Sequence, residues 1–545
     1  MKSQLVVDTP QTIGDALLHW QRVSPDDRFL KCNSEWLSFD QIGERSDRLA
    51  AGVHALGVSK GDRVAMLMPN RIEMLEMYFA FAKLGVVQVP LNTYLKGEFL
   101  RYQLQDADVS VLVTDHAGLE AAKSLLPTLP SLRAIVTVDE ESIELAEGIE
   151  KSSKIEVKQY QHLAATPEAP PHIEVSPDDM VSILYTSGTT GLPKGCMLTH
   201  GYYTRVARHM IYANEITRDD VLITALPLFH SAARMMVVAA ALQVGAPLNV
   251  EPAFSASSFF RRSAEEQATL AYGVGAMSVA LLKSQETEWD KAHNLRLIML
   301  PPTPKDIQQK FLERFGVPVW AESFGQTECV PTSNNPIFLP ERRPGTSGLP
   351  VDDLEVQIVD DEENPVPAGV AGELVLRPKH KHAMFRGYWR KPEATLEAFK
   401  NLWFHTGDNG YFDEEGYFHF VDRKKDAIRR RGENVSSAEL EAAILLNPQV
   451  ADVAVIGVPS AATEEDIEAC VVLVEPNSFS PVEFFSYLKE HLPYFAVPRY
   501  VRLMDQLPRN ATGRIQKFKL RDQEQVSERW DFEELGLTIS KAERR

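Results

Sequence analysis

The sequence predicts an α/β protein with a large N-terminal domain of several subdomains over residues 1–424 and a small α+β domain over residues 425–523. Three observations carry that prediction. A chain of 545 residues is too long for one hydrophobic core, because cores stop growing beyond roughly 250–300 residues. Strand-like and helix-like stretches alternate through the first half, as they do in parallel α/β layers. After Asp426 the pattern restarts with helices and strands of its own, enough for a separate domain of about 100 residues.

Taken in order, Gln41 to Leu56 places apolar residues near helical spacing, and Gly57 ends the run. Asp62 to Met68 reads as a strand, Ile72 to Leu84 as a helix and Val86 to Pro90 as a further strand. Residues 140–178 are charged and then proline-rich, which predicts a loop or linker. Met180 to Leu184 reads as a buried strand, and a further α/β stretch covers residues 200–335. Asp353 to Val359 and Gly372 to Arg377 alternate at short range between turn residues, as expected of a small β-rich subdomain. Then come a helix from Ala438 to Leu446, strands from Val450 to Ile456 and Ala469 to Val474, and a helix from Pro481 to Leu492. Residues 524–545 are highly charged and predict a peripheral tail.

Composition narrows the function. With 44% hydrophobic and 24% charged residues the chain is an ordinary globular protein. A net charge of −19 argues against nucleic acid or an anionic membrane as main partner. The four cysteines, Cys32, Cys196, Cys329 and Cys470, are scattered without metal-ligand spacing. No run reaches the ~18 apolar residues of a membrane span, and the first residues carry no signal-peptide core, so the expected location is cytoplasmic.

The most informative string is Tyr185-Thr-Ser-Gly-Thr-Thr-Gly-Leu-Pro-Lys-Gly195, which follows the strand ending at Leu184. Its glycines, Gly188 and Gly191, let the backbone approach a phosphate and aim N–H groups at it. The hydroxyls of Thr186, Ser187, Thr189 and Thr190 add donors, and Lys194 adds charge. It is not a Walker A loop, since no Gly-Lys-Ser/Thr tripeptide closes it. Gly273-Val-Gly-Ala-Met-Ser278 also misses the last glycine of a dinucleotide fingerprint.

This string resembles the phosphate-binding signature of the adenylate-forming enzymes, which include acyl-CoA synthetases, adenylation domains and luciferases. Further strings resemble that family's signatures in its order: Phe324-Gly-Gln-Thr-Glu328, Trp403-Phe-His-Thr-Gly-Asp408, Asp422-Arg-Lys-Lys-Asp-Ala-Ile428 and Pro508-Arg-Asn-Ala-Thr-Gly-Arg-Ile-Gln-Lys517. Gly432-Glu-Asn-Val-Ser-Ser437 and Lys379 to Tyr388 most resemble the crotonobetaine/carnitine–CoA ligase branch. The resemblance implies an ATP-dependent carboxylic acid–CoA ligase using ATP, Mg²⁺ and coenzyme A. Its small C-terminal domain would be mobile, and a homodimer is a possible assembly. A stand-alone adenylation enzyme that loads a carrier protein or forms an amide stays open, as does a noncatalytic nucleotide-binding homologue.

The resemblance also implies roles. Thr186, Ser187, Gly188, Thr189, Thr190, Gly191 and Lys194 would bind the ATP phosphates, and Glu328 would hold Mg²⁺ and act in catalysis. Phe324, where tyrosine is usual, would stack on adenine, and Gly325 and Thr327 of the same string would also bind ATP or AMP. Asp408 would accept from the ribose hydroxyls and Arg423 would add a second contact, although a solvated arginine fits as well. Lys425 falls at the hinge, and Gly432 where a pantetheine arm passes, although a turn glycine looks the same. His230 borders the acyl pocket or is structural. Gly273, Gly275 and Ala276 lie where the pocket is built; their small size suggests room for a medium-sized or bulky acid, or close packing. Two departures stand out. Pro301-Pro-Thr-Pro304 replaces a glycine-rich loop, so it must present carbonyls and rigid rings. Arg514 replaces the usual catalytic lysine, with Lys517 as the other candidate cation.

Overall fold

A computed structural model describes residues 10–33, 35–186, 192–339, 342–423, 427–430, 433–460, 465–475, 479–508, 515, 517–521 and 529–540. The chain divides into two compact units. The first holds residues up to Thr93, Leu104–Leu184 and Gly195–Asp422. The second holds Arg423–Arg545 together with the short segments Tyr94–Gln103 and Tyr185–Lys194.

The first unit is layered α/β, as alternation of the two periods predicts. One sheet runs in the order Glu156–Gln159, Ala134–Thr137, Val111–Thr114, Arg63–Leu67, Val87–Pro90, Met180–Thr186 and Lys194–Thr199. Its strands from Glu156–Gln159 through Met180–Thr186 pair in parallel. A second sheet runs Val319–Trp320, Leu297–Met299, Leu270–Tyr272, Leu222–Thr224, Leu248–Val250, Arg28–Lys31 and Leu37–Ser38, parallel up to the last antiparallel pair. Strands such as Leu222–Thr224 and Leu270–Tyr272 are buried throughout, as strands covered on both faces must be. The helix Ile72–Leu84 is almost wholly buried and ends at Gly85 in the left-handed region. Ser38 and Gln41 close a reciprocal capping box at the start of helix Phe39–Ala55.

Two antiparallel elements carry the candidate site. Ser323–Gln326 and Cys329–Asn334 form a hairpin, joined by Leu349–Pro350. Leu354–Val359, Gly372–Pro378, Trp403–Phe412 and Phe399–Lys400 form the β-rich subdomain, with Phe418–Arg423 paired to Trp403–Phe412.

Within the second unit, Val450–Pro459, Glu465–Leu473, Tyr500–Leu503 and Arg529–Asp531 form one sheet. Its core joins Val453, Val455, Ile467 and Val471 to Phe484 and Leu488 of the helix Pro481–His491. Tyr94 of the internal segment stacks edge-on to Tyr494, with ring centroids 4.5 Å apart.

Two expectations are corrected. Residues 140–164 are not a linker: they form the helix Ile143–Ser152, the edge strand Glu156–Gln159 and the helix Tyr160–Ala164. The strand is half-exposed and charged, as sheet edges often are, so it lacks the alternation that marks a strand in sequence. The charged tail is not wholly peripheral either. Arg529–Asp531 pairs antiparallel with Tyr500–Leu503, and Phe532 is buried in the core behind it. Among the described residues no helix is long and apolar enough to cross a membrane.

Candidate active site

The phosphate-loop string begins where the strand Met180–Thr186 ends and closes where Lys194–Thr199 begins. Thr186 donates its hydroxyl to the Lys194 carbonyl at 3.4 Å, and Tyr102 donates to the Pro193 carbonyl at 3.1 Å. The two ends of the loop are thus tied together. Ser187, Gly188, Thr189, Thr190 and Gly191 lie outside the described residues.

The Phe324–Glu328 string folds as one arm and the turn of the hairpin. Phe324 is half-buried, edge-on to Phe418 at 5.2 Å and stacked with the exposed Phe420 at 5.8 Å. Gly325 is exposed, and Thr327 and Glu328 form the turn. The helix His200–Asn214 supports that turn from below. Its buried Tyr202 donates to the Thr327 carbonyl at 3.2 Å and accepts from the Val330 N–H at 2.7 Å. Arg205 of the same helix donates to the Val330 carbonyl and grips Asp353 through two 2.7 Å contacts.

Glu328 is 7% exposed, and its Oε1 accepts from the Tyr388 hydroxyl at 2.9 Å. The Phe385 N–H donates to its carbonyl at 2.9 Å. Burial, and then the neighbouring Glu328 carboxylate, push the Tyr388 phenol far above its usual range. Tyr388 therefore stays a proton donor and holds the carboxylate without neutralising it. A carboxylate oxygen in such a turn fits Mg²⁺, which takes one or two protein carboxylates beside phosphate oxygens. The group His209, Asp352 and Asp353 also has metal-ligand spacing. There, however, Asp353 is already spanned by the Arg205 guanidinium. Next to Glu328, Cys329 is buried, and that burial pushes its thiol up to about 11, which disfavours the thiolate that a nucleophile needs.

Asp408 sits on a bulge. Gly372–Pro378 pairs Glu373 with Asn409 but Val375 with His405, so Thr406, Gly407 and Asp408 loop out of the ladder. Gly407 takes a φ of +72°, which a side chain resists. Its N–H donates to Glu373 at 3.1 Å, Thr406 Oγ1 donates to the Leu374 carbonyl at 2.7 Å, and the Asp408 N–H donates to Thr406 Oγ1 at 3.1 Å. The Asp408 carboxyl is 2% exposed. Gln326, two residues along the strand from Phe324, donates its amide to the Thr406 carbonyl at 2.8 Å and to Asp408 Oδ2.

Around the expected acyl pocket, His230 is half-buried and tilted against Phe229 at 4.6 Å. Just after it Ala232–Val238 forms a π-helix, a geometry common near functional sites. Its buried Arg234 lies over the Tyr78 ring at 4.6 Å and donates to Gln88. Gly273 and Gly275 are closely approached by their neighbours. A Cβ at Gly273 would lie 2.7 Å from Met277 Sδ and 2.8 Å from Leu300 Cδ2; one at Gly275 would lie 1.7 Å from the Pro302 carbonyl oxygen. The Gly275 N–H donates to the Pro301 carbonyl at 3.3 Å, so the proline loop does present carbonyls here. Ala276 belongs to the helix Gly275–Lys283, which opens at this contact.

Arg423 ends the strand Phe418–Arg423. Lys425, Gly432 and Arg514 lie outside the described residues. Lys517 is engaged within the second unit: its ammonium contacts Glu441 Oε1 at 2.7 Å and donates to Ser437 Oγ at 2.7 Å. Sequence reasoning gave no role to Gln326 or Tyr388. Both stand inside strings it singled out, and for Gln326 a hydrogen-bonding side chain between two functional positions was the available signal.

The AMP-binding enzyme family model matches residues 17–389, and that of the AMP-binding enzyme C-terminal domain matches residues 439–514. A crotonobetaine/carnitine–CoA ligase from Salmonella paratyphi A is 33% identical over 489 residues, covering 89% of this chain and 93% of its own. Among solved structures, a double mutant of o-succinylbenzoate CoA synthetase from Bacillus subtilis has a TM-score of 0.79 at 27% identity, over 95% of this chain and 99% of that chain. An amide bond synthetase from Marinactinospora thermotolerans shares the fold, with a TM-score of 0.80 at 22% identity over 94% and 99%. The chain belongs to the AMP-binding enzyme family, among its adenylate-forming acyl-CoA ligases.

Proposed function

We propose that the protein is an ATP-dependent carboxylic acid–CoA ligase that works through an acyl adenylate. The observation that carries this reading is a pair of buried carboxylates in one compact unit, Glu328 and Asp408, each held by a neutral amide or phenol donor. Burying a charge is costly, and such groups mark sites where a ligand is to be met. The crotonobetaine/carnitine–CoA ligase relative, aligned over most of both chains, supports the same chemistry.

In the first half-reaction a carboxylate oxygen of the acid attacks the α-phosphorus of ATP. The α–β phosphoanhydride breaks and pyrophosphate leaves. Thr186, Ser187, Gly188, Thr189, Thr190, Gly191 and Lys194 donate to the departing phosphates. Phe324 offers adenine a ring face, while Asp408 and Arg423 orient the ribose. Arg514 bridges the acid and the α-phosphate. A Mg²⁺ ion, when bound at Glu328, neutralises phosphate charge. In the second half-reaction the CoA sulfur attacks the acyl carbon and AMP leaves. Lys425 is the proposed pivot at the 424/425 domain boundary, and Gly432 the backbone along which the pantetheine arm passes.

The test is a purified full-length chain with ATP, Mg²⁺ and CoA, offered crotonobetaine, carnitine, o-succinylbenzoate, a fatty acid and acetate. The expected result is AMP, pyrophosphate and acyl-CoA in equal amounts with at least one acid. Pyrophosphate release without thioester would point to a carrier-bound thiol or an amine as acceptor. No ATP–pyrophosphate exchange with any acid would overturn the reading.

A further inference from the structure

We infer that Gln326 is a positioning residue for nucleotide selection: it aims the Asp408 carboxylate so that the site distinguishes ribose from deoxyribose. This rests on the adenylate-forming reading above. The argument begins with the bulge. Asp408 is carried on residues displaced from the ladder between Gly372–Pro378 and Trp403–Phe412. The bulge fixes its backbone through Thr406, Gly407 and Glu373, but those bonds leave the side-chain torsions unset. Gln326 supplies a hold on the side chain itself. Its amide nitrogen meets two acceptors, the Thr406 carbonyl and Asp408 Oδ2. Since both neighbours only accept, the NH₂ end of the amide must face them, which fixes its orientation.

The placement has a chemical consequence. A neutral amide can take part of one carboxylate oxygen's hydrogen-bonding capacity while leaving the negative charge in place. An arginine or lysine there would neutralise it. An aimed carboxylate that accepts from a hydroxyl rejects a substrate lacking that hydroxyl, because the buried acceptor is then left poorly satisfied. Gln326 also stands two residues from Phe324 on the same strand, so adenine stacking and ribose selection are set by one short segment.

Gln326 could instead do no more than satisfy a buried carboxylate. The two roles differ in what they do to selectivity. The experiment compares ATP, 2′-deoxyATP and 3′-deoxyATP in acid-dependent ATP–pyrophosphate exchange, using the full-length wild type, Gln326→Met and Asp408→Asn. Calorimetry with AMP and the two deoxy-AMPs gives a readout that needs no catalysis. We expect wild type to prefer ATP by about tenfold or more over at least one deoxy analogue, the range of a hydrogen bond to a charged group. Gln326→Met keeps the length and bulk without the N–H. It should lose about tenfold in kcat/KM for ATP, mostly through KM, and most of the discrimination, as Asp408→Asn should. Gln326→Glu, which cannot donate and repels Asp408, serves as the second variant should Gln326→Met fold poorly, and its discrimination should be lost as well.

Equal losses for all three nucleotides, or full discrimination retained in the folded variants, would overturn the inference. AMP binding that discriminates, without exchange on any acid, would sink the ligase reading alone. Failure to bind any adenine nucleotide would sink both.

Discussion

Glu328 and Lys517 are both charged residues of the signature strings, and different kinds of group hold them. Glu328 is held in a hairpin turn by a phenol, a partner that adds no charge. Lys517 is held at the end of a helix by a carboxylate and a hydroxyl. A neutral donor orients a carboxylate without adding charge of its own. An ionic partner spends the charge on the fold. The same contrast separates Asp408, held by Gln326, from Asp353, clamped by Arg205. Whether a charged residue inside a signature string acts as a reagent or as a strut is what the following substitutions separate.

The sharpest break of that contrast is Glu328→Gln. The amide oxygen can still accept from Tyr388, so the melting temperature should hold, while pyrophosphate release falls by about 100-fold or more, the scale of a lost electrostatic contact in a reacting site. Unchanged release would make Glu328 a strut.

Next comes the pair Arg514→Ala and Lys517→Ala. The first should lower adenylation by a factor of tens and spare conversion of a supplied acyl adenylate to thioester. The second should act mainly on stability, costing about 1–3 kcal/mol because Glu441 and Ser437 lose their partner. Half-reaction rates and melting curves on both variants separate the two outcomes. A reversed ranking would make Lys517 the acting cation.

A smaller effect is expected of Tyr388→Phe. It frees Glu328 from its phenol donor, so the Mg²⁺ concentration for half-maximal adenylation should rise several-fold with little change in kcat at saturation. Titrating Mg²⁺ in both proteins tests it, and identical curves would remove Tyr388 from the site.

The mildest prediction concerns His200, a buried group with a neutral partner that does titrate. Burial holds its imidazole down to about 4, and its Nδ1 accepts from the Ile13 N–H at 3.3 Å. Protonation would destroy that acceptor. The folded pKa lies below the unfolded one, so the unfolded chain binds the extra proton. This contribution to stability is complete above roughly 6.5 and is lost as pH falls from there towards about 4. The melting temperature should drop by roughly 2–4 °C over that window, less so in His200→Gln, where the titrating group is gone. Parallel curves for both proteins would show that other groups carry the acid sensitivity.

Much of the fold could be read from sequence because the period was strong. Ile72–Leu84 and Val450–Pro459 stand where apolar spacing puts them. Glu156–Gln159 and Arg529–Asp531 escaped because edge strands with Glu, Lys or Arg are identified by their partners, which are distant in the chain. The site was legible as strings, and its couplings were not. Gln326 meets Asp408 across 82 residues of chain, and Tyr388 meets Glu328 across 60. Glycines at 273 and 275 fit either an acyl pocket or close packing, and a Cβ at each would meet Met277 and Leu300 or the Pro302 carbonyl. Small residues report close approach as readily as they report space.

The strand Arg529–Asp531 also bears on how the protein is made. A ribosome delivers it after every other strand of its sheet, when Val450–Pro459, Glu465–Leu473 and Tyr500–Leu503 are already available to pair. Until then one side of Tyr500–Leu503 offers unpaired backbone groups to any passing strand, the hazard of nascent sheets. In the folded sheet the arginine and aspartate that flank Trp530 hold the strand in register: Arg529 stacks over Tyr500 at 3.7 Å and Asp531 pairs with Arg499 at 2.8 Å. Charge that looks like an untidy tail in the sequence latches the last strand of this sheet in place.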